Sequence, residues 1–153
     1  MGGDDVWRSP MSVSRFLVVE TGPLALGLDT ANTPEILPLG DCVHVPWAPH
    51  WVLGVVDHQG RLVTMIDLAR FLGLDGAQPR VAVHLDRVDL PLAFCVSAVH
   101  VVEARDAVRM NNIEHRLSQA GWVIEALSTP SLTFERLDLD RVLAALEAAF
   151  RGG

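Results

Sequence analysis

The chain has 153 residues, half of them apolar and a fifth charged, with 19 acidic against 12 basic side chains and a net charge of −7. This is the composition of a globular domain long enough to bury about two-thirds of its unfolded surface without disulfides, and it is too hydrophobic for a disordered chain. The basic residues are scattered singly, which argues against nucleic acid as a partner, and apolar stretches such as Val142 to Ala149 fall short of the roughly twenty residues of a membrane span.

Residues 1–13 read as a flexible lead-in. Asp4 and Asp5 stand where a secretory signal carries Lys or Arg, and no apolar h-region follows. Cys42 and Cys95 lie far apart with no CxxC, so two reduced thiols in a cytoplasmic protein are expected.

From there the chain shows short β-prone runs bounded by Gly, Pro, Asn or Asp. Phe16 to Val19 predicts a first strand, Thr21-Gly22-Pro23 a turn, and Leu24 to Leu28 a second strand with its leucines on one face. A Pro-rich connection runs from Pro38 to Pro49. Trp51 to Val56 and Leu62 to Ile66 predict a hairpin across Asp57-His58-Gln59-Gly60, a turn longer than the two-residue minimum, with Gly60 placed for a positive φ. Asp67 is a candidate N-cap for the short segment Leu68 to Leu72, which Gly73 would end.

Beyond a soft linker from Gly73 to Pro79, Val81 to Leu85, Leu90 to Val96 and Val99 to Glu103 predict three more strands, the first two joined by Asp86 to Asp89. Ala104 to Ala120 is polar and ambiguous, and Trp122 to Leu127 and Ser131 to Leu137 give the last strands. Leu139, Val142, Leu143, Leu146 and Phe150 then recur at helical spacing, with Asp138 as N-cap and Gly152 ending the run. The expected fold is mainly β. A single domain over 14–153 holds two β-subdomains, about 14–74 and 80–137, closed by an integral helix over 139–150.

The run from Val45 to Leu68, with Gly54-Val55-Val56, the turn Asp57-His58-Gln59-Gly60 and Ile66-Asp67-Leu68, resembles the signature region of CheW-like domains. There the pattern is a Pro, an apolar Gly-Val-(Val/Ile) strand, an Asn-x-Arg-Gly turn and a strand ending in Ile-Asp-Leu. The resemblance extends to Phe16-Leu17-Val18-Val19, to Glu35-Ile36 and to Leu137-Asp138-Leu139 before the last helix, covering nearly everything after Ser14. It implies two five-stranded SH3-like barrels side by side. It also implies a non-catalytic, cytoplasmic adaptor without cofactor, linking chemoreceptor signalling tips to the regulatory domain of a CheA-type histidine kinase. The interaction surface it implies comprises Thr33, Glu35, Asp57, His58, Gln59 and Arg61, with Gly54 and Gly60 shaping the backbone beneath.

Two positions depart from the pattern. Asp57 replaces the usual Asn, and Gln59 replaces the turn Arg, which in the family is thought to pair with the Glu matched here by Glu35. Gln59 can donate a hydrogen bond to that carboxylate but brings neither charge nor the guanidinium fork. Asp57 adds negative charge beside Glu35 if the family geometry holds, so an altered partner set is expected: a receptor only, or a motility or pilus regulator.

Other residues have plainer readings. Trp47 and Trp51 are expected to seal a barrel rather than anchor a partner. His44, His50, His58, His84, His100 and His115 include no HxH or HExxH spacing, so no metal site is expected and His58 reads as an exposed turn residue. No GxSxG, GxGxxG or P-loop Lys is present, and a hydrolase built on Asp57, His58 and Asp67 competes with cap and turn roles that already account for those residues. A general SH3-like binding module with some other protein partner is the remaining alternative.

Overall fold

A computed structural model describes residues 15–29, 35–40, 42–74, 78–85, 91–110 and 121–152. Thr33, His115, residues 1–13 and the Asp86 to Asp89 connection lie outside them. In chain order the elements are β1 (Arg15–Thr21), β2 (Leu24–Asp29), β3 (Glu35–Pro38), β4 (Val52–His58), β5 (Arg61–Asp67), α1 (Leu68–Phe71), β6 (Val81–Leu85), β7 (Leu92–Val96) and β8 (Ala98–Glu103). A 3-10 turn (Ala104–Asp106), β9 (Val108–Met110), β10 (Val123–Ser128), β11 (Thr133–Leu137) and α2 (Leu139–Gly152) follow.

These strands form two sheets, β8-β1-β2-β11-β10-β9 and β3-β6-β7-β5-β4. The architecture is mainly β with a short helix and a C-terminal helix, as expected, but the sheets are not the two halves of the chain. β1 and β2 join the C-terminal strands, and β6 and β7 join β3 to β5, so the sheet boundary does not fall between residues 74 and 80. Parallel pairs, β2 with β11 and β5 with β7, make these crossings. One sheet has six strands instead of five, because part of the ambiguous segment after Ala104 forms the short β9.

Both sheets curl. The four residues between Glu103 and Val108 connect the outer strands β8 and β9 and can span at most about 18 Å. Six flat strands would separate those edges by about 24 Å. In the other sheet the outer strands are β3 and β4, and the chain just past β3 exchanges two backbone hydrogen bonds with β4, Val43 N to Val55 O and Val55 N to Val43 O, both 2.9 Å.

Curling puts each strand between two apolar environments, and the period of two sorts its side chains. In β1, Phe16 and Val18 point into a cluster with Val102, Leu127 and Phe134, while Leu17 and Val19 point the other way. In β7, Ala93 and Cys95 join Val63, Met65 and Ala82, while Leu92, Phe94 and Val96 face the opposite side. The outward sets of both sheets meet in one shared core with Leu139, Val142, Leu143 and Leu146 of α2. This two-sided burial explains why Leu92–Val96 is apolar at every position.

α2 is therefore integral. It starts at Asp138, whose carboxylate accepts the Arg141 N–H at 3.3 Å, and its helix runs through Gly152 where a stop before that glycine was expected. Phe150 packs edge-on to Trp51 at 5.6 Å, Trp51 meets Phe71 at 5.0 Å, and Phe71 meets Trp122 at 5.9 Å. This aromatic chain ties α1, α2 and both sheets together.

Candidate functional site

The site is built on the β4–β5 hairpin. Gly54 lies at a register shift in β4 with φ +152, and a Cβ there would stand 2.5 Å from the Val43 carbonyl oxygen, so only glycine lets the chain beyond β3 dock on β4. The ladder continues to the His58–Arg61 pair, leaving a two-residue turn of Gln59 (φ 54) and Gly60 (φ 83). This corrects the longer turn expected from sequence: Asp57 and His58 still belong to the strand, and both central residues take the left-handed conformation of a type I′ turn. The Gly60 N–H donates to Asp57 Oδ1 at 2.9 Å, which pins the turn. At the other end of β5, Asp67 caps α1 by accepting the Arg70 N–H at 3.2 Å, as expected.

Three inward-facing positions at one end of the five-stranded barrel are polar. Glu35 is two residues from Leu37, His58 two from Val56 and His84 two from Ala82, all of which pack against the inner cluster. Period-two alternation thus places Glu35, His58 and His84 on the same inner face. Glu35 and His84 are direct cross-strand partners. His58 comes from the other outer strand, so its contact with Glu35 bridges the seam.

His58 Nε2 lies 2.9 Å and His84 Nδ1 3.5 Å from the same oxygen, Glu35 Oε1. An ionised carboxylate only accepts, so the His58 Nε2–H donates. The two imidazoles meet edge to face with centroids 5.3 Å apart. Their side chains are only 19% and 16% exposed, whereas that of Glu35 is 49% exposed. The His58 hydrogen bond holds the Glu35 carboxyl below its ordinary value despite some desolvation, and His84 adds to the effect.

The residues singled out from the sequence are thus partly brought together. His58 is half-buried and bonded to Glu35, not simply exposed in a turn. Asp57 spends its carboxylate on its own hairpin and, one residue from His58, faces the other side of the strand. Arg61 opens β5 opposite His58. His84 was not singled out as a functional residue. Strand pairing brings His58, His84 and Glu35 together although their sequence spacing is not of a metal-ligand type. The Trp pair divides: Trp51 is buried as expected, while Trp47 is fully exposed, at φ 66 in the loop before β4.

A profile of the CheW-like domain matches residues 15–146. The chain belongs to the CheW-like domain family. Among curated proteins it is 35% identical over 57 residues to Protein FrzA of Myxococcus xanthus, covering 37% of this chain and 36% of that one. It is 28% identical over 85 residues to the chemotaxis protein CheW of Thermotoga maritima, covering 54% and 56%. The chain thus aligns with only about a third to a half of these relatives' lengths. The crystal structure of the scaffolding protein TtCheW from Thermoanaerobacter tengcongensis superposes with a TM-score of 0.66 at 15% identity, over 83% of this chain and 90% of that one, which shows the fold.

The match is to a CheW-like domain, and the neighbour of the same fold, TtCheW, is named as a scaffolding protein. The carboxylates and imidazole of the hydrolase reading have the structural partners described above. Cys42 and Cys95 are both free, and burial, with Asp67 and Cys42 adding, pushes the Cys95 thiol up to about 12, far from a nucleophile's range. Among the described residues no helix is long and apolar enough to cross a membrane.

Proposed function

We propose that this scaffold couples a chemoreceptor signalling tip to the regulatory domain of a CheA-type histidine kinase in a chemotaxis-like two-component pathway. The observation that carries this reading is the CheW-like match over residues 15–146, which runs through both barrels. The interaction surface proposed is the end of the five-stranded barrel bearing Glu35, Asp57, His58, Gln59 and Arg61, together with Thr33, which lies outside the described residues. Gly54 and Gly60 fix the backbone under it. Exposed apolar side chains on the same barrel, Ile36, Val43 and Leu62, and the fully exposed Trp47 suit a protein partner. The action is positional: repeated modest contacts build an array without chemistry.

A second reading, a CheW-like module with altered partners, is favoured by one observation. The Arg of the family's turn is Gln59 here, and Glu35 is held by His58 and His84 instead. Isothermal titration against the kinase regulatory domain and against a receptor-tip fragment separates the two. Micromolar binding to both supports coupling, binding to the receptor alone supports the altered module, and binding to neither removes both. Gln59→Arg should change at least one affinity; unchanged values for both partners would remove the turn from the interface.

A further inference from the structure

We propose that Glu35, His58 and His84 form a binding site for a divalent transition-metal ion of the zinc class, clamping the two outer strands of the five-stranded barrel. One ligand atom from each residue can be chosen so that all lie within 4.8 Å of one another. A tetrahedral zinc ion with ligand distances of about 2.0–2.1 Å needs its ligands about 3.4 Å apart. The two separations to Glu35 Oε1, 2.9 and 3.5 Å, straddle that value. With the atoms so chosen the two imidazole nitrogens lie within 4.8 Å of each other, and closing that gap to about 3.4 Å completes the geometry.

The donor set selects the ion. Two imidazoles and one carboxylate suit zinc, cobalt or nickel, whereas magnesium and calcium take oxygen ligands. Entry of the metal displaces the proton now on His58 Nε2, which passes to Nδ1 of the same ring, so the ion replaces a hydrogen-bonded bridge with a coordinate one. The histidines are anchored by burial while Glu35 remains half exposed, which gives the ion access from solvent and leaves a fourth coordination position for water or a partner's side chain.

Location supplies the consequence. β3 and β4 are the outermost strands of their sheet, and the Val43–Val55 bridge pairs the chain past β3 with the middle of β4. A metal held by Glu35 on β3, His84 on β6 and His58 on β4 ties this seam at a second point. It rigidifies the turn end of the β4–β5 hairpin.

The test titrates the metal-free full-length chain with Zn2+ by calorimetry, with Co2+ as an optical and paramagnetic probe. One equivalent should bind and raise the melting temperature as its concentration rises. Loss of groups behind metal ligands alone costs 10–100-fold, so His58→Asn and His84→Asn should each weaken binding by at least about a hundredfold. His100→Asn, which removes a histidine paired with Glu20 outside the cluster, should leave it unchanged. In the unmodified chain Co2+ should broaden NMR signals around Glu35, His58 and His84, a readout that no folding defect can mimic. Absence of saturable one-to-one binding, binding that survives both substitutions, or broadening centred elsewhere would overturn the proposal.

Discussion

The two barrels are plugged at one end of the inner face by polar clusters of different character. In the six-stranded barrel, Arg136 stands two residues from the core residue Phe134 on β11 and bonds Asp29 on β2 through Nε at 2.9 Å and Glu125 on β10 through Nη1 at 2.8 Å. Its guanidinium lies 5.8 Å from the centroid of the Phe16 ring. Asp29, Glu125 and Arg136 sit on strands already joined to their neighbours by backbone ladders, and the edges of that sheet are tethered by a short covalent connection. In the five-stranded barrel the cluster is Glu35, His58 and His84, and it bridges edges that share little backbone pairing. A guanidinium stays charged at every ordinary pH; imidazoles exchange protons and accept metals. The first barrel is therefore closed by a fixed charge, while the second would be clamped by the proposed ion, and that end carries the proposed interaction surface.

The strongest challenge to this comparison is removal of what the barrels share. Four buried residues of α2 complete the common core, each worth about 1.5–3 kcal/mol, together comparable to a domain's whole stability. Truncation after Asp138 should give insoluble chain without a cooperative melt; a soluble truncation with a sharp transition would mean that the sheets are stable separately. Within the six-stranded barrel, Phe134→Ala removes the partner of Phe16, 5.3 Å away, and should cost about 3–5 kcal/mol in denaturant unfolding. The five-stranded barrel is filled by smaller side chains, Ala82, Ala93 and Cys95 among them. Gly54→Ala, which collides with the Val43 carbonyl at a strained φ, should cost about 2–3 kcal/mol.

The polar clusters give the smaller effects. Arg136→Met leaves Asp29 and Glu125 without their shared cation and should cost about 1–3 kcal/mol. Burial raises the Glu125 pKa, but the bonds from Arg136 and Arg109 outweigh it and hold the carboxyl below 4.5. A depressed folded-state value means that this stability is present above the unfolded value and is lost as pH falls through the lower folded one. Melting curves between neutral and acid pH should show that loss in the parent chain and a weaker one in Arg136→Met. Glu35→Gln, at an exposed carboxylate in metal-free protein, should shift the melting temperature least of all. A shift larger than that of Arg136→Met would reverse the ranking of the two clusters.

What the sequence disclosed follows the range of the interactions. α2 and the Asp67 cap are local patterns, and both were legible. The β4–β5 hairpin was legible in kind but not in length, because Asp57 and His58 look like turn residues while their backbones continue the ladder. The partition of strands between sheets was not legible, since β1 pairs with β8 across most of the chain and no periodicity records that. The Glu35–His84 register is equally non-local, and it makes the cluster. Trp47 failed for another reason: an aromatic residue in a loop satisfies composition rules for burial without a neighbouring element to bury it.

The central claim, that a CheW-type scaffold meets its partners at the barrel end bearing Glu35, His58 and His84, is tested most directly by NMR on the labelled full-length chain titrated with the kinase regulatory domain and then with the receptor-tip fragment. The account predicts that the perturbed amides of at least one titration cluster at Glu35 and His58 to Leu62, while those around Asp29, Glu125 and Arg136 stay in place. Perturbation confined to the six-stranded barrel, or none with either partner, would contradict it.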